Sequence, residues 1–417
     1  MKKPYEVPPT AGLPLRWRDF LPASGKPSLE EGLAAFLGLP AVQVECSGTA
    51  SLVLALEVLK RRSRRRKVIL PAYTCPLVPL AVAHAGLETA LCDLGPNRFD
   101  FDLDSLSALC DSQTLCVIPT HLAGSVADLA PVLEIARRAG AFIIEDAAQA
   151  LGAAWNGAPV GTFGDIGFYS LACGKGLTLY EGGVLIARDP EMREALRRES
   201  EARVSFQWGM ELKRSAELLG YRLFYHPAAL RWSYGARLRH WLDRNDPVRA
   251  VGDDLGPGIP IHRVGRWRKR IGAAALERLP EAIRGNVERG RRRARMLGKI
   301  PGLHLLDDRP GRSGAWPFLM IWFDSAEASA RALSRLWRTG LGVSRLFIHP
   351  LTGYSYLKGK VPAVSAPNAE AFAARALTVS NSPWLTDGDF ESILAVLEES
   401  ARSERPSIAR KDRAASG

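Results

Sequence analysis

One lysine and one aspartate stand out as candidate catalytic residues, because of their side chains and their places in the sequence. Lys175 lies in a loop between two predicted strands, 168–171 and 184–187, and Asp146 lies just beyond the apolar run 141–144. An amine can form an imine with an aldehyde, and a carboxylate can hold a protonated pyridine nitrogen. Pyridoxal 5'-phosphate chemistry needs these two protein groups most, so they are our candidate catalytic residues. Taken separately, the lysine could be an exposed loop residue and the aspartate a helix cap.

Other segments could meet the remaining needs of that cofactor. Its phosphate needs N–H donors and hydroxyls, ideally at a helix N-terminus, and the run 47–51 (Ser-Gly-Thr-Ala-Ser) opens an apolar helix with both. The same run could equally be an ordinary helix cap. Ser170 could add a hydroxyl, and Gln149 could contact the ring hydroxyl. Tyr73 or Cys75 could cover a face of the ring, or either could simply be packing.

The segments that must position these residues alternate between two types. Continuous apolar runs, typical of buried parallel strands, occur at 68–70, 116–118 and 141–144. Helical patterns lie between them, such as 129–139 with Asp128 as its N-cap. This alternation predicts an α/β fold with a mostly parallel central sheet flanked by helices. Ligands bind beyond the carboxyl ends of such strands, where His121 and Asp146 fall.

The chain is long enough for two domains, and its pattern changes along its length. We expect a large cofactor-binding domain over 1–260, carrying a helical insertion at 203–254 that is rich in Arg, Leu, Trp and Tyr. A smaller C-terminal α+β domain is expected over 261–400, opening with a helical region at 271–297. The polar, basic tail 401–417 is predicted to be disordered.

Composition and charge narrow the class of protein further. The formal net charge is +12, and its densest cluster, 61–67, follows a predicted helix, where positive charge stabilises the C-terminus. We therefore expect no nucleic-acid partner. The six cysteines have no Cys-x-x-Cys spacing, so no metal site is expected. No apolar run is long enough to span a membrane, and the start lacks a signal core, so we expect a cytoplasmic protein.

Together, these segments resemble the DegT/StrS family of sugar aminotransferases. The resemblance spans about residues 30–400, with the insertion excepted. The matching runs are 145–152, 161–165, Ser170, Lys175 and 181–183, with 47–50, 71–74 and 121–124 upstream and 272–279 and 382–386 downstream. The family implies a fold-type-I pyridoxal phosphate transferase, with the mostly parallel central sheet flanked by helices and a smaller C-terminal α+β domain.

The resemblance also implies roles for individual residues. Lys175 would be the Schiff-base lysine, Asp146 would pair with the pyridinium, and Gln149 would contact the ring. The residues implied to hold the phosphate are Gly48, Thr49, Ala50 and Ser170. Family members are homodimers with shared sites, and most move an amino group from glutamate to a keto sugar carried on a nucleotide. Such products enter polysaccharide or secondary-metabolite biosynthesis.

The chain departs from the family pattern at several places. The family usually has an aromatic residue in the place of Cys75, for which Tyr73 could compensate, and a histidine in the place of Ala172. The family's Asn-aromatic-Arg segment corresponds to 261–263, where Arg263 alone matches. Arg263 is our candidate for binding an anionic group of the substrate.

Several alternatives stay open. His121 is our second candidate for substrate contact, and the acceptor could be a cyclic or lipid-linked ketone instead of a nucleotide sugar. A sugar dehydratase of the family would carry histidine in place of Lys175. A non-catalytic regulatory or membrane-associated paralogue could also keep the fold. The insertion could be a flap on the dimer or a basic amphipathic surface in weak contact with a membrane.

Overall fold

The computed structural model describes residues 4–22, 25–256 and 258–402. Its α-helices are α1 (Leu29–Leu37), α2 (Gly48–Arg62), α3 (Leu77–His84), α4 (Leu103–Leu109), α5 (Leu129–Ala139), α6 (Pro190–Arg203), α7 (Trp208–Phe224), α8 (Pro227–Leu230), α9 (Ala236–Asp243), α10 (Pro247–Val251), α11 (Arg266–Leu276), α12 (Leu279–Leu297), α13 (Ala326–Leu336), α14 (Pro367–Arg375) and α15 (Asp387–Arg402). Short 3-10 turns lie at Trp17–Phe20, Leu122–Gly124, Leu351–Gly353 and Ser355–Leu357, and a π-helical stretch, Arg231–Gly235, joins α8 to α9.

The strands form one large and two smaller sheets. They are β1 (Gln43–Glu45), β2 (Lys67–Pro71), β3 (Glu88–Cys92), β4 (Thr114–Val117), β5 (Phe142–Asp146), β6 (Ala154–Trp155), β7 (Ala158–Pro159), β8 (Ile166–Ser170), β9 (Gly183–Ile186), β10 (Leu303–Leu305), β11 (Arg312–Ser313), β12 (Phe318–Phe323), β13 (Val343–Ser344) and β14 (Ala376–Ser380). The large sheet has seven strands in the order β1-β9-β8-β5-β4-β2-β3.

The large sheet is mostly parallel, which confirms the prediction from the apolar runs. Strands β3, β2, β4, β5 and β8 are parallel to one another, and β9 runs antiparallel to both β8 and β1, between which it lies. Helices cover the sheet, so β4 is buried at every position and β2 and β5 at every position but their first.

One edge of this sheet gathers the segments that build the site. Because β2, β4, β5 and β8 are parallel, their carboxyl ends meet there. The antiparallel strand β9 begins at this edge, where Gly183 pairs with Ser170 on one side and with Glu45 on the other. Helix α2 starts three residues after β1 ends, so its N-terminus also lies at this edge.

The C-terminal part of the chain is built on a four-stranded antiparallel sheet in the order β10-β12-β14-β13. Its strand β12 is buried at all six positions. Helices α13 and α15 share a core with one face of this sheet, whereas α14 packs on β12 within the core that includes the large sheet. The division into domains at residue 260 stays a prediction. Of the predicted tail, Ala401 and Arg402 end α15, and 403–417 lie outside the described residues.

One local prediction is wrong, and another holds only in part. The helical region predicted over 271–297 is two helices, because Pro280 lies in the first turn of α12. Proline lacks the N–H that would continue the preceding helix, and its ring disfavours helical backbone at the residue before it. Asp128 is the N-cap residue of α5, as predicted, but no helix N–H donates to its side chain. Its carboxylate accepts a 2.6 Å bond from Arg312 instead.

The insertion packs on the rest of the chain through a buried ion pair. Arg268 of α11 is fully buried, and its guanidinium donates to the carboxylate of Glu211 on α7 at 2.7 Å. The same side chain donates to the backbone oxygen of Glu181 at 2.8 Å. Arg268 therefore ties α7 and α11 to the loop that follows Lys175. Within the described part of the chain, no helix is both long and apolar enough to cross a bilayer.

Candidate active site

A cavity of about 370 Å³ lies at the edge of the large sheet where the parallel strands end. Its walls come from the start of α2, the ends of β5 and β8, the loop around Lys175 and two segments at 258–260 and 346–347. The predicted site residues among its lining are Gly48, Thr49, Cys75, His121, Asp146, Gln149, Ser170 and Lys175. Three other predicted residues, Ala50, Tyr73 and Arg263, are described by the structure but do not line this cavity.

Lys175 is held in place by the N-terminal segment of the chain. Thr10 donates its hydroxyl to the backbone oxygen of Gly174 at 2.6 Å. A side chain at Gly12 would lie 3.0 Å from the Gly174 backbone, so the two segments are in close contact. Burial lowers the pKa of the Lys175 amine, and nearby Cys75 and Asp146 act in the opposite direction. Burial therefore favours the neutral amine, which is the form that acts as a nucleophile.

Asp146 lies at the end of β5 with 3% of its surface exposed. Burial raises the pKa of its carboxyl group; the N–H of Ala148, 3.0 Å from Oδ1, and the nearby Lys175 and His121 lower it. A cation placed in the cavity against this carboxylate would compensate for the lost hydration. A protonated pyridine nitrogen is a cation of this kind, so Asp146 fits its predicted partner.

The start of α2 supplies donors for an anion. Ser47 is the N-cap, and its hydroxyl accepts the Ala50 N–H at 3.0 Å. The N–H of Ala50 is therefore already used, whereas Gly48 and Thr49 line the cavity in the first turn of the helix. The positive end of the helix dipole and these unpaired N–H groups favour a phosphate there. The Ser170 hydroxyl also lines the cavity and accepts a bond from the Ala172 N–H at 3.3 Å.

Gly183 allows α2 to start so close to the sheet. A Cβ atom at Gly183 would overlap the backbone oxygen of Ser47 and lie 2.7 Å from the nitrogen of Gly48. Only glycine leaves room for β9 to pass the first turn of α2 at this distance. The sequence showed Gly183 within a glycine pair, but the contact that requires it involves a segment more than 130 residues away.

His121 lines the cavity, but both of its ring nitrogens are engaged. Nδ1 accepts the Ala127 N–H at 3.2 Å, so the proton of the neutral ring is on Nε2, which donates to Glu145 at 3.0 Å. The ring is fully buried apart from the cavity. His121 therefore has no free ring nitrogen to offer the cavity. Its predicted contact with substrate stays a prediction.

Glu145 organises this side of the site, and sequence reasoning gave it no role. Its fully buried carboxylate accepts N–H bonds from Gly161, Phe163 and Gly164 at 2.6–2.7 Å, in addition to the bond from His121. Side chains alternate along a strand, so Glu145 points away from the neighbouring Asp146. The signal that could have revealed it was a charged residue inside a buried strand.

Gln149, Cys75 and Tyr73 have different surroundings. The side-chain oxygen of Gln149 accepts the Ala123 N–H at 2.8 Å, which fixes its amide at the cavity wall. Cys75 lines the cavity, and burial raises the pKa of its thiol to about 12, so it is neutral. Tyr73 packs edge-on against Phe347, with ring centroids 5.6 Å apart, and its hydroxyl donates to the Phe347 oxygen at 3.2 Å. The cavity wall at this point is therefore the small Cys75.

Arg263 is exposed and lies outside the cavity of its own chain. Its guanidinium donates to the Val204 oxygen at 3.3 Å, and its backbone N–H donates to the Ser205 oxygen at 2.9 Å. These bonds attach the segment 261–263 to the start of the insertion.

The residues around the cavity fit pyridoxal phosphate. An amine with a lowered pKa, a buried carboxylate and a capped helix N-terminus face one space. These groups can bind, in turn, the aldehyde, the ring nitrogen and the phosphate of that cofactor.

Known proteins resemble this chain in sequence and in fold. GDP-perosamine synthase of Caulobacter vibrioides is 33% identical over 168 residues, which is 40% of this chain and 45% of that protein. The chain thus spans less than half the length of that relative. The dTDP-4-dehydro-2,3,6-trideoxy-D-glucose 4-aminotransferase of Saccharopolyspora spinosa is 25% identical over 88% of this chain and 86% of its own.

The Streptococcus pneumoniae protein Spr1654, solved in its PLP form, superposes with a TM-score of 0.74 at 19% identity, over 96% of this chain and 99% of its own. This likeness shows the fold, which is the predicted α/β fold of the fold-type-I transferases. A family model, that of the DegT/DnrJ/EryC1/StrS aminotransferase family, matches residues 24–245. Since that match spans more than half of the chain, the chain belongs to the DegT/DnrJ/EryC1/StrS aminotransferase family.

Proposed function

We propose that the chain is a pyridoxal phosphate-dependent aminotransferase that moves an amino group from an amino acid, glutamate in the first instance, to a nucleotide-linked keto sugar. The observation that carries the proposal is that Lys175 and Asp146 line one cavity with the start of α2. The names of the two relatives refer to GDP- and dTDP-linked sugars, which supports a nucleotide-linked acceptor.

Pyridoxal phosphate, when bound, supplies an aldehyde for the amine and a ring that withdraws electrons from the carbon next to the substrate nitrogen. Lys175 provides the nucleophilic amine and later the base that takes and returns the proton at that carbon. Burial lowers the pKa of its amine, so less free energy is needed to reach the neutral form.

The other residues of the site hold and orient the cofactor. The Asp146 carboxylate keeps a proton on the ring nitrogen through a charge-assisted hydrogen bond. The N–H groups of Gly48 and Thr49, with the Ser170 hydroxyl, bind the phosphate. The face of His121, held by Glu145, and the small Cys75 shape the space that the ring occupies.

We also propose a homodimer with shared sites in the cytoplasm. Arg263 is exposed and does not line its own cavity, and in a dimer it could bind an anionic substrate group in the other chain's site. The six cysteines are all free thiols, as expected in a reducing compartment.

Visible absorbance spectroscopy tests the proposed activity. Protein incubated with pyridoxal phosphate should gain a visible band that shifts when glutamate is added, because the amino group moves to the cofactor. Lys175→Ala should lack this band, whereas the exposed-lysine control Lys299→Ala should keep it. A wild-type band that no amino acid shifts would refute the aminotransferase proposal.

A further inference from the structure

Exposed apolar side chains are concentrated on one segment of the insertion. Seven of the twelve large apolar side chains that are exposed in the described residues lie between 206 and 232. They are Phe206, Trp208, Leu212, Leu219, Leu223, Phe224 and Trp232. We call this set the α7 face. Single exposed apolar residues are common, but a contiguous set marks an interaction surface.

Helix α7 presents most of this face from one side. Trp208, Leu212, Leu219 and Leu223 recur at intervals of four and seven residues, which places them along one stripe of the helix. Their opposite side, which includes Leu218 and Tyr221, is buried against the rest of the chain. Trp208 is 81% and Leu212 is 74% exposed, so no described residue of this chain covers the outer stripe.

The exposed charged residues of the segment that carries the α7 face are cationic. Between residues 204 and 242, a stretch described throughout, no exposed residue is acidic, whereas Lys213 and Arg237 are exposed. Exposed Asp254, outside this stretch, lies 3.9 Å from Arg237. The two glutamates of this stretch are paired with cations: buried Glu211 accepts from Arg268, and half-buried Glu217 accepts from Arg214. An apolar stripe with a cationic border is complementary to anionic lipid headgroups above an acyl layer.

The face continues onto the N-terminal segment. The guanidinium of Arg222 on α7 lies 4.5 Å from the centre of the Trp17 ring, and Trp17 is 53% exposed. Tryptophan is favoured at membrane interfaces because its ring is apolar and its N–H is polar. Trp17, Trp208 and Trp232 therefore suit the depth at which headgroups meet acyl chains.

The alternative partner for the α7 face is a second copy of this chain. A two-fold contact places the same patch of both chains together. Lys213 would then approach its own copy with no exposed acidic residue of 204–242 to balance it, whereas Arg237 already has Asp254 at 3.9 Å. Repulsion between the two copies of Lys213 disfavours such pairing, whereas an anionic lipid surface attracts this lysine.

We propose that the α7 face docks this protein on an anionic lipid bilayer, with α7 lying in the plane of the interface. The docking is independent of the proposed amino transfer. It would bring a second cavity of about 580 Å³, which lies beside the face, close to the lipid surface. Phe224 lines this cavity together with Cys173 and Gly174, the two residues that precede Lys175.

Vesicle sedimentation of the full chain tests the docking. We expect the protein to sediment with vesicles of phosphatidylcholine mixed with phosphatidylglycerol, to sediment less in high salt, and to stay in solution with phosphatidylcholine alone. The triple variant Trp208→Ser, Leu212→Ser, Leu223→Ser should lower the partition coefficient by about tenfold or more, because these side chains supply the apolar contact.

The matched control is the double variant Leu103→Ser, Val364→Ser, which removes exposed apolar side chains elsewhere and should bind like the wild type. Lys175→Ala should also bind like the wild type, so failure of docking and failure of the aminotransferase proposal are distinguishable. Equal partition of the triple variant and the control, or no binding to anionic vesicles, would overturn the docking. So would a triple variant that changes only the oligomeric mass measured by light scattering.

Discussion

At the scale of single residues, the site depends on two groups whose ordinary charges are opposed by burial. The pKa of Lys175 is lowered and that of Asp146 is raised, and in both residues burial is the main cause. Burying each charged group costs free energy. A cofactor that reacts with the amine and presents a cation to the carboxylate offsets both of these costs. Without it, both groups reduce the stability of the fold, which is common for catalytic residues.

The free-energy cost of burying the Lys175 amine can be tested through the pH dependence of protein stability. The folded protein binds the Lys175 proton less tightly than the unfolded chain, so the cost is present at neutral pH. It disappears above the ordinary pKa of 10.5, where the amine is neutral in both states. Lys175→Met should therefore raise the melting temperature of cofactor-free protein at neutral pH, and the gain should shrink as the pH approaches that value. A loss of stability at neutral pH, or a gain that does not depend on pH, would contradict the assignment.

The sequence identified the residues with distinctive chemistry better than those that act through geometry. Lys175, Asp146 and the start of α2 could be selected because their types match a known chemical need. Gly183 and Glu145 could not be given a role, because each acts on a segment whose position only the fold determines. Tyr73 was selected for its aromatic ring, but the ring packs on Phe347, which lies more than 270 residues later.

At the scale of elements, the position of α2 against β9 should control how tightly the phosphate is held. Gly183→Ala inserts a methyl group into the backbone of Ser47 and Gly48, and overpacking of this kind typically costs about 1–3 kcal/mol. If the start of α2 shifts, the dissociation constant for pyridoxal phosphate should rise by about 5-fold to 100-fold. Gly388→Ala is the control, because its Cβ would meet no atom within 4 Å. Unchanged binding by Gly183→Ala, measured by fluorescence titration, would remove this role.

The buried ion pair between α7 and α11 should matter far more than an exposed one. Arg268→Ala leaves the carboxylate of Glu211 buried without its partner, which is expected to cost about 3–5 kcal/mol. Arg197→Ala removes an ion pair to Glu194 in which both side chains are largely exposed, so its effect should stay within about 1 kcal/mol. Denaturant unfolding of the two variants measures the difference. Similar losses of stability would show that Arg268 does not fix α7.

The elements themselves were predictable where a local pattern decides them. The parallel strands follow from continuous apolar runs, and α5 spans the predicted residues 129–139. The end of α11 was missed because the prediction followed the helical pattern and did not weigh Pro280 against it. Asp128 was read as a cap, but its carboxylate is bonded to Arg312, a contact that depends on the tertiary fold.

At the scale of the whole molecule, segments distant in sequence complete the site. The N-terminal segment contacts the loop before Lys175, and helix α7 holds that segment in turn. The hydroxyl of Tyr221 donates to the Leu13 oxygen at 3.4 Å, and that of Tyr225 donates to the Thr10 oxygen at 3.3 Å. The insertion that carries the α7 face is therefore linked mechanically to the site.

Mixing two inactive variants tests the proposed sharing of sites. If Arg263 serves the site of the other chain, a dimer of one Lys175→Ala chain and one Arg263→Ala chain has one site with both residues intact. Activity should then return when the two proteins are mixed and allowed to exchange subunits. Mixing Lys175→Ala with Asp146→Asn is the control, because those residues line the same cavity and every site keeps one defect. If the first mixture stays as inactive as the control, Arg263 acts in its own chain or not at all.

The proposed covalent bond between Lys175 and the cofactor can be tested directly by mass spectrometry. Protein loaded with pyridoxal phosphate is reduced with borohydride, digested and mapped. We expect one pyridoxyl adduct, located on the peptide that contains Lys175. An adduct on a different lysine, or none on any peptide of a protein that binds the cofactor, would contradict it.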